Sequence, residues 1–279
     1  MSTTAIRWGL GLAVTGFGVN KIFGEGAHRA AILGGRPAPV HTATPQKLND
    51  LSNPSVKALH IYDHCPYCVR VQLAAGWRDV DIPIKVYGYG DMEGPKLLTG
   101  KKILPVLEVE DKSGQKIYLR ESLDLVDYLE GYNGEPNRKL PPAGRKDLTA
   151  WLKKAKESLS VLTRPRILKM PLEDWKKPED IAYAVNKYTT RFGFDYAKAE
   201  AATDEHLEKM AGYLEELDEL LASDEAANAY GRSIDDIVLI PNLRTLTCVK
   251  GLRWPKKVKA YVENGCKDAG IETYSAHAV

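Results

Sequence analysis

The sequence predicts an α/β domain followed by an all-α domain, and three observations support this fold class. Apolar patterns typical of strands and helices alternate through residues 56–132. A stretch rich in glycine, proline and asparagine follows at residues 133–144, as is typical of an interdomain linker. The apolar patterns of residues 145–279 all have helical spacing. A chain of 279 residues has room for two domains of ordinary size.

Residues 1–55 differ in composition from the rest of the chain. An apolar run at residues 8–19 follows Arg7, and Glu25 is the one acidic residue before residue 50. The run is shorter than the roughly 20 residues that span a bilayer, so we expect no membrane span. An N-terminal targeting leader within residues 1–35 and a plain N-terminal extension remain as alternatives. An extended linker is predicted from the prolines that follow, Pro37, Pro39, Pro45 and Pro54.

The α/β domain begins with a strand at residues 58–62 and a helix that runs to Trp77. Val69 and Leu73 precede Trp77 at intervals of four, which predicts one buried helix face. The elements that follow are a strand, a short helix, a two-strand hairpin and a helix, at residues 84–87, 97–100, 105–109, 117–119 and 121–130. A βαβ unit followed by α-β-β-α is the order of a thioredoxin-like domain.

The C-terminal domain is predicted to consist of amphipathic helices. They are expected at about residues 145–170, 178–190, 204–221, 233–250 and 255–268. Ser233 and Asp236 have the spacing of a capping box at the start of the fourth of these helices. We interpret this pair as a stabilising device. The formal net charge is +2 and no basic tract occurs, so no nucleic-acid partner is expected.

The chemistry of the chain is predicted to lie in Cys65-Pro66-Tyr67-Cys68, between the first strand and the first helix. Cys65 would sit at the helix N-terminus, where unpaired N–H groups and the helix dipole stabilise a thiolate. Pro66 suits the first helical position because its missing N–H would have been unpaired there. Cys68 lies one turn further on. Cys65 is therefore the predicted nucleophile and Cys68 the thiol that resolves a mixed disulfide.

Two other interpretations of this pair are a zinc half-site and an inert structural pair. A zinc site needs a second pair of ligands, and Cys248 and Cys266 lack the spacing to supply one. We therefore expect no metal, and we interpret these two as buried or incidental thiols. Four cysteines in a chain of this length do not form a disulfide scaffold and suit a reducing compartment.

Several segments resemble the glutaredoxin 2 family, the large glutaredoxins with a glutathione-transferase-like architecture. The segments are Ile61-Tyr62-Asp63-His64-Cys65-Pro66-Tyr67-Cys68, Thr99-Gly100-Lys101-Lys102-Ile103-Leu104-Pro105-Val106-Leu107, Glu121-Ser122-Leu123-Asp124 and Gly251-Leu252-Arg253-Trp254-Pro255. The resemblance covers residues 57–279. The segment before it lies outside the family pattern, so the resemblance implies nothing about localisation.

The resemblance implies a catalytic role for Cys65 and Cys68 and a cis-proline at Pro105. Leu104 would then offer its backbone N–H and C=O to the peptide backbone of glutathione. An ordinary trans proline at the edge of a strand is the alternative for Pro105.

The resemblance also implies a pair that holds the γ-glutamyl end of glutathione, Glu121 and Ser122. Ser122 would bind the α-carboxylate and Glu121 the α-ammonium, although the pair is also compatible with a simple helix cap. Lys102 or its neighbour Lys101 would face the glycyl carboxylate, and Tyr67 would pack beside the thiol.

His64 precedes Cys65 and has two interpretations. It either tunes the thiol or is an exposed loop side chain, which is the commoner case.

The function implied is that of a glutaredoxin, a glutathione-disulfide oxidoreductase. Glutathione would be its co-substrate, with no tightly bound cofactor, and its partners would be glutathionylated or disulfide-containing proteins. We expect a monomer in the cytoplasm or in an organelle matrix. The alternative is a glutathione-transferase-type enzyme that conjugates or isomerises small electrophiles.

Overall fold

The computed structural model describes residues 40–41, 55–132, 140–142 and 144–279. These residues belong to one compact unit, residues 39–279. The leader expected within residues 1–35 lies outside the described residues. In the part of the chain that is described, no helix is both long enough and apolar enough to cross a membrane.

The α/β half contains the expected alternation of strands and helices. Its elements are β1 (Val40–His41), β2 (Ser55–Ile61), α1 (Pro66–Trp77), β3 (Ile84–Val86), α2 (Gly94–Thr99), β4 (Val106–Glu110), β5 (Lys116–Leu119) and α3 (Ser122–Tyr132). The sheet order is β1-β5-β4-β2-β3. β2 and β3 are parallel, which α1 permits as the crossover, and β4 is antiparallel to both β2 and β5. The thioredoxin-like arrangement is therefore confirmed.

The sheet includes residues that the sequence assigned to the N-terminal extension. Val40 and His41 pair in parallel with Ile117 and Tyr118 of β5, and Ser55 already belongs to β2. A two-residue edge strand has no alternating apolar pattern, so nothing in its sequence distinguishes it from a proline-rich linker.

Helix α1 lies at the centre of the packing. Val69 and Leu73 are buried as predicted, while Trp77 is half-buried and donates its Nε1–H to the carbonyl oxygen of Gly265 at 3.0 Å. Val71 and Ala74, on a further face of α1, are also fully buried. This second apolar face exists because α1 is covered by the sheet on one side and by the helical half on the other.

The helical half confirms the predicted helices and adds one. Its elements are α4 (Lys146–Ile167), a 3₁₀ turn (Glu173–Trp175), α5 (Pro178–Phe192), α6 (Tyr196–Ala201), α7 (Thr203–Leu220), α8 (Ile234–Leu246), α9 (Lys256–Asp268) and a final 3₁₀ turn (Ser275–His277). The added helix, α6, is too short for a periodic pattern, and Asp195 caps it by accepting from the Lys198 N–H at 3.1 Å. The capping box of α8 is present, with the Ser233 N–H donating to Asp236 at 2.7 Å.

The two halves approach each other most closely where α1 meets the C-terminal segment. At Gly76 a Cβ atom would lie 2.4 Å from the carbonyl oxygen and 2.5 Å from the Cα of Ala269. Both neighbours are backbone atoms, so they cannot move aside as a side chain would. Glycine at this position therefore allows α1, which carries both active-site cysteines, to dock on the helical half.

We predict that Gly76→Ala destabilises the protein by about 1–3 kcal/mol, because the added methyl group forces α1 away from Ala269. Gly212→Ala is the matched control, because Gly212 lies in α7 and its Cβ would meet nothing within 4 Å. That substitution should be neutral or stabilise by up to about 1 kcal/mol. Thermal and denaturant unfolding of both variants measures the difference, and equal midpoints would contradict the close packing.

Candidate active site

The two cysteines occupy different environments at the start of α1. Cys65 is the N-cap residue, with extended backbone angles (φ −77°, ψ 117°), and Pro66 takes the first helical position as predicted. Cys65 is half-buried, whereas Cys68 is fully buried within the core. Both are free thiols, as are the buried Cys248 and Cys266. Cys65 is therefore the more accessible residue of the pair, and Cys68 lies in the core.

The acidities of the two thiols diverge. A hydrogen bond from the Cys68 thiol, together with the charge of His64 and backbone N–H groups of the first turn, lowers the pKa of Cys65 from 9.0 to about 6 although burial opposes this. Burial raises the pKa of Cys68 well above its ordinary value, and the hydrogen bond to Cys65 raises it further. At neutral pH Cys65 is thus a thiolate and Cys68 a thiol that donates to it.

His64 is buried and is bound by a carboxylate from the helical half. Asp174 lies in the 3₁₀ turn after α4 and is fully buried. Its Oδ1 accepts from the Asp63 N–H at 2.8 Å, and its Oδ2 accepts from the His64 N–H at 2.7 Å and from His64 Nδ1. The expectation of an exposed loop histidine is therefore wrong. The helical half holds the backbone and the imidazole of the residue that precedes the nucleophile.

An aromatic cluster surrounds this histidine. The His64 ring lies 4.6 Å from the ring of Trp175 and 4.7 Å from that of Tyr89, between centroids. Tyr89 also contacts Tyr62 edge to face at 5.0 Å. Cys65 packs against this cluster, so one wall of the thiol site is aromatic.

Leu104 and Pro105 are joined by a cis peptide bond, as the resemblance implies. Leu104 packs against both the main core and the aromatic cluster that contacts Cys65. Neither its N–H nor its C=O has a backbone hydrogen-bond partner among the described residues. These two groups are therefore available to pair with an extended peptide.

Glu121 and Ser122 begin α3 in an unusual conformation. Glu121 has φ 67°, in the left-handed region that non-glycine residues rarely adopt, and its C=O accepts the first helical bond from the Leu125 N–H at 3.0 Å. Such strain, of order 1–2 kcal/mol, is typical of functional sites. Ser122 is buried, and its hydroxyl accepts from Arg70 Nη1 at 3.3 Å.

Arg70 is a residue that sequence reasoning missed. Its guanidinium lies 4.7 Å from the ring centroid of Tyr67, which is itself 56% exposed. Its Nε is buried without a hydrogen-bond partner in the described part of the chain. Burial lowers the pKa of Arg70, while the nearby Cys65 opposes this shift. A cation whose partners are a hydroxyl and a ring is suited to receive a carboxylate.

Lys102 lies on the aromatic side of the thiol, together with Lys187 from α5. Lys102 Nζ donates to the Tyr62 hydroxyl at 3.0 Å and to the Tyr89 carbonyl oxygen, and it lies 4.4 Å from the Tyr183 ring centroid. Burial, followed by repulsion from Lys187, lowers the pKa of Lys102 to about 8. Lys187 Nζ donates to the Tyr89 hydroxyl at 2.7 Å. Lys101 is exposed, whereas Lys102 is half-buried among these groups. Of the two adjacent lysines, Lys102 is therefore the one that faces the site.

Contacts with Cys65 or with its neighbours connect several of the predicted residues, and the structure adds three others to them. Asp174 and Lys187 come from the helical half, and no sequence spacing connects them to the cysteines. Arg70 follows Cys68 by two positions. The sequence does contain a signal for Arg70, because a cation about one turn into a helix that begins with a nucleophilic cysteine lies close to that cysteine.

Two thiols of divergent acidity on a thioredoxin-like domain, joined to an all-helical half, define a thiol–disulfide oxidoreductase with a glutathione-transferase-like architecture. The comparisons with known proteins agree. The family model described as "Glutaredoxin 2, C terminal domain" matches residues 147–278, and "Glutathione S-transferase, N-terminal domain" matches residues 59–137.

Individual relatives narrow this class to one family. Glutaredoxin 2 of Escherichia coli strain K12 is 32% identical over 223 residues, covering 79% of this chain and 99% of that protein. The crystal structure of glutaredoxin 2 from Salmonella typhimurium in complex with glutathione matches with a TM-score of 0.73 and 30% identity. It covers 82% of this chain and 100% of that chain. The chain belongs to the glutaredoxin 2 family and is a glutathione-dependent oxidoreductase.

The hydrogen bond from Cys68 is the largest cause of the lowered pKa of Cys65, and we predict that removing it shows in the pH dependence of alkylation. In the wild type, iodoacetamide should modify Cys65 with a midpoint at about pH 6. Cys68→Ala removes the donor and should raise this midpoint by about one unit. Cys68→Ser keeps a donor and should raise it less. Identical midpoints in the wild type and the Ala variant would show that the thiol pair is not coupled.

Proposed function

We propose that this protein reduces mixed disulfides between proteins and glutathione, and that it also reduces protein disulfides. The Cys65 thiolate attacks the glutathione sulfur, the protein thiolate leaves and takes up a proton, and Cys65 carries glutathione. The thiolate of a second glutathione then attacks that sulfur, which releases glutathione disulfide and restores the Cys65 thiolate. For a protein disulfide, Cys65 attacks first, and Cys68, once deprotonated, attacks the Cys65 sulfur and releases the second protein thiolate. The Cys65–Cys68 disulfide that results is reduced by two molecules of glutathione, which leave as glutathione disulfide.

The observation that carries this proposal is the difference between the two thiols. The lowered pKa makes Cys65 both a populated thiolate and a good leaving group, which the two attacks require in turn. The buried Cys68 has a raised pKa and stays protonated until a mixed disulfide removes the negative charge on Cys65. Burial still disfavours the Cys68 thiolate at that point, so a second glutathione can attack the Cys65–glutathione disulfide before Cys68 does.

The residues around Cys65 can hold glutathione in an extended form. The free N–H and C=O of Leu104 would pair with the cysteinyl backbone of glutathione. Ser122 and Arg70 would receive the α-carboxylate, and Glu121 would accept from the α-ammonium. Two groups support this arrangement: the Arg70 Nε without a partner and the strained Glu121.

Lys102 would face the glycyl carboxylate from the other side of the thiol. Its ammonium is half-buried over aromatic rings, and its hydrogen-bond partners are a hydroxyl and a carbonyl oxygen. Tyr67, exposed at the rim, would cover the bound peptide.

We predict opposite effects of the two cysteine substitutions in the assay that couples mixed-disulfide reduction to glutathione reductase. Cys65→Ser should abolish reduction of the mixed disulfide, because no nucleophile remains. Cys68→Ser should keep a large share of this activity and lose the reduction of protein disulfides. Cys248→Ser is the control, because that thiol is buried away from the site and burial raises its pKa to about 12. An inactive Cys68→Ser together with an active Cys65→Ser would reverse the assigned roles.

The same preparations and a Cys65→Ala variant should be given an aromatic electrophile and glutathione, to test the alternative of a conjugating transferase. Transferases of that kind use a hydroxyl to lower the pKa of the glutathione thiol, whereas here a cysteine occupies the position. Conjugation that is faster than mixed-disulfide reduction, and that survives Cys65→Ala, which introduces no hydroxyl, would favour the transferase.

We further predict that Glu121→Gly separates stability from glutathione binding. Glycine adopts a positive φ without strain, so the variant should be as stable as the wild type or more stable by about 1 kcal/mol. Its KM for glutathione should rise several-fold because the carboxylate is lost. Glu121→Gln keeps the strain and tests the charge alone. An unchanged KM in both variants would reduce Glu121 to a helix cap.

A reducing compartment is proposed as the place where the protein works, with glutathione and glutathionylated proteins as its partners. All four cysteines are free thiols, which supports this setting. A monomer suffices, because a single chain supplies the proposed site.

A further inference from the structure

Asp174 binds the loop that precedes Cys65 through several hydrogen bonds, yet the reaction proposed above gives this residue no role. Its carboxylate accepts the backbone N–H groups of Asp63 and His64 and the Nδ1–H of the imidazole. Its own carbonyl oxygen accepts from the Tyr89 N–H at 3.1 Å. All of these donors belong to the α/β half, whereas Asp174 belongs to the helical half. A fully buried carboxylate in this position must be compensated by the groups that it contacts.

The His64 imidazole lies between two acidic groups, the Asp174 carboxylate and the Cys65 thiol. One ring nitrogen binds the Asp174 carboxylate, and the ring is clamped between Trp175 and Tyr89. The positive charge of His64 in turn favours the thiolate of Cys65, the next residue. Without the Asp174 carboxylate, the imidazole would lose the acceptor that fixes its ring beside Cys65. The ring would then stabilise the thiolate less well.

We propose that Asp174 is a positioning residue for the nucleophile, acting through His64. The helical half thereby sets the acidity of a thiol carried by the other half. This inference rests on the proposed function, in which Cys65 is the attacking thiolate. Asp174 does not touch the reacting sulfur, so its effect on the chemistry is indirect.

Other charged groups surround the pair of His64 and Asp174. Asp63 lies beside it, and burial raises the pKa of its carboxyl group, while Arg244 of α8 opposes that shift. Arg244 donates to the Asp63 carbonyl oxygen at 3.4 Å and to the Tyr274 hydroxyl. Glu173, next to Asp174, is exposed and ion-paired with Lys176 at 2.5 Å.

On the aromatic side, the titratable groups include Tyr62, Tyr89, Tyr183, Tyr188, Lys102 and Lys187. Burial raises the pKa of Tyr62, Tyr89 and Tyr188, and it lowers that of both lysines. Cys68 lies beneath the pair, and the negative charge of Asp174 contributes to its raised pKa. Among the described residues, Asp174 is the carboxylate that hydrogen-bonds to the His64 ring.

The test measures the pH midpoint of Cys65 alkylation in the full chain. Asp174→Asn should raise this midpoint by about one unit. His64→Gln should raise it by a similar amount, and the double variant should match His64→Gln alone. Glu173→Gln is the matched control and should leave the midpoint unchanged, because it removes an equal charge from the exposed neighbour.

The sign and the coupling distinguish this role from others. Removal of a negative charge would by itself lower the midpoint, so a fall in Asp174→Asn overturns the proposal. Additive shifts in the double variant also overturn it, because they would mean that the two residues act independently. A merely structural contribution would alter the unfolding midpoint and leave the alkylation midpoint in place.

A second measurement uses the wild type, and it applies if Asp174→Asn does not fold. NMR of the His64 ring should show an Nδ1–H held in a hydrogen bond and in slow exchange with solvent, at a pH where Cys65 is already a thiolate. A rapidly exchanging Nδ1–H under those conditions overturns the proposal. Neither measurement needs glutathione, so loss of the proposed mixed-disulfide activity and failure of this inference remain separate outcomes.

Discussion

The carboxylate of Asp174 joins the two halves of the molecule at the place where the chemistry occurs. It accepts two backbone N–H groups and an imidazole from the loop that precedes Cys65. A second carboxylate of the helical half, Asp180, accepts from the Gly90 N–H at 2.7 Å and reinforces the same junction. These buried acceptors satisfy backbone donors that the α/β half leaves unpaired. The helical half therefore completes the active-site loop as well as covering α1.

The position of the two thiols follows from this packing. Because the loop is held from outside, Cys65 remains at the helix N-terminus as a half-buried residue, while Cys68 faces the core. One sulfur is stabilised as an anion by its neighbours and the other is kept protonated by burial. Two residues of identical chemistry thus acquire different roles from their surroundings. Among the described residues, the N–H and C=O of Leu104 have no backbone partner and the Nε of Arg70 has no hydrogen-bond partner, which leaves these groups for the peptide and carboxylate of the proposed site.

Much of the fold could be predicted because its signals are local. The paired cysteines, the proline at the first helical position and the capping box of α8 each depend on a few adjacent residues. The apolar spacing of the long helices is similarly local. Residues Val40–His41 and helix α6 escaped prediction, because two and six residues are too few to show a period. The burial of His64 escaped it for another reason, since its partner Asp174 is 110 positions away.

The sequence by itself determined the order of the longer elements, the position of the cysteine pair and the family to which the chain is related. These follow from local spacing and from short motifs, which are read within one element or across one turn. The tertiary structure alone decided which charges face the thiol. Asp174 and Lys187 reach the site from the helical half. Arg70 donates to Ser122, the first residue of α3, which lies 52 positions further along the chain. Electrostatic effects depend on distance in space and on burial, and neither can be obtained from separation along the chain.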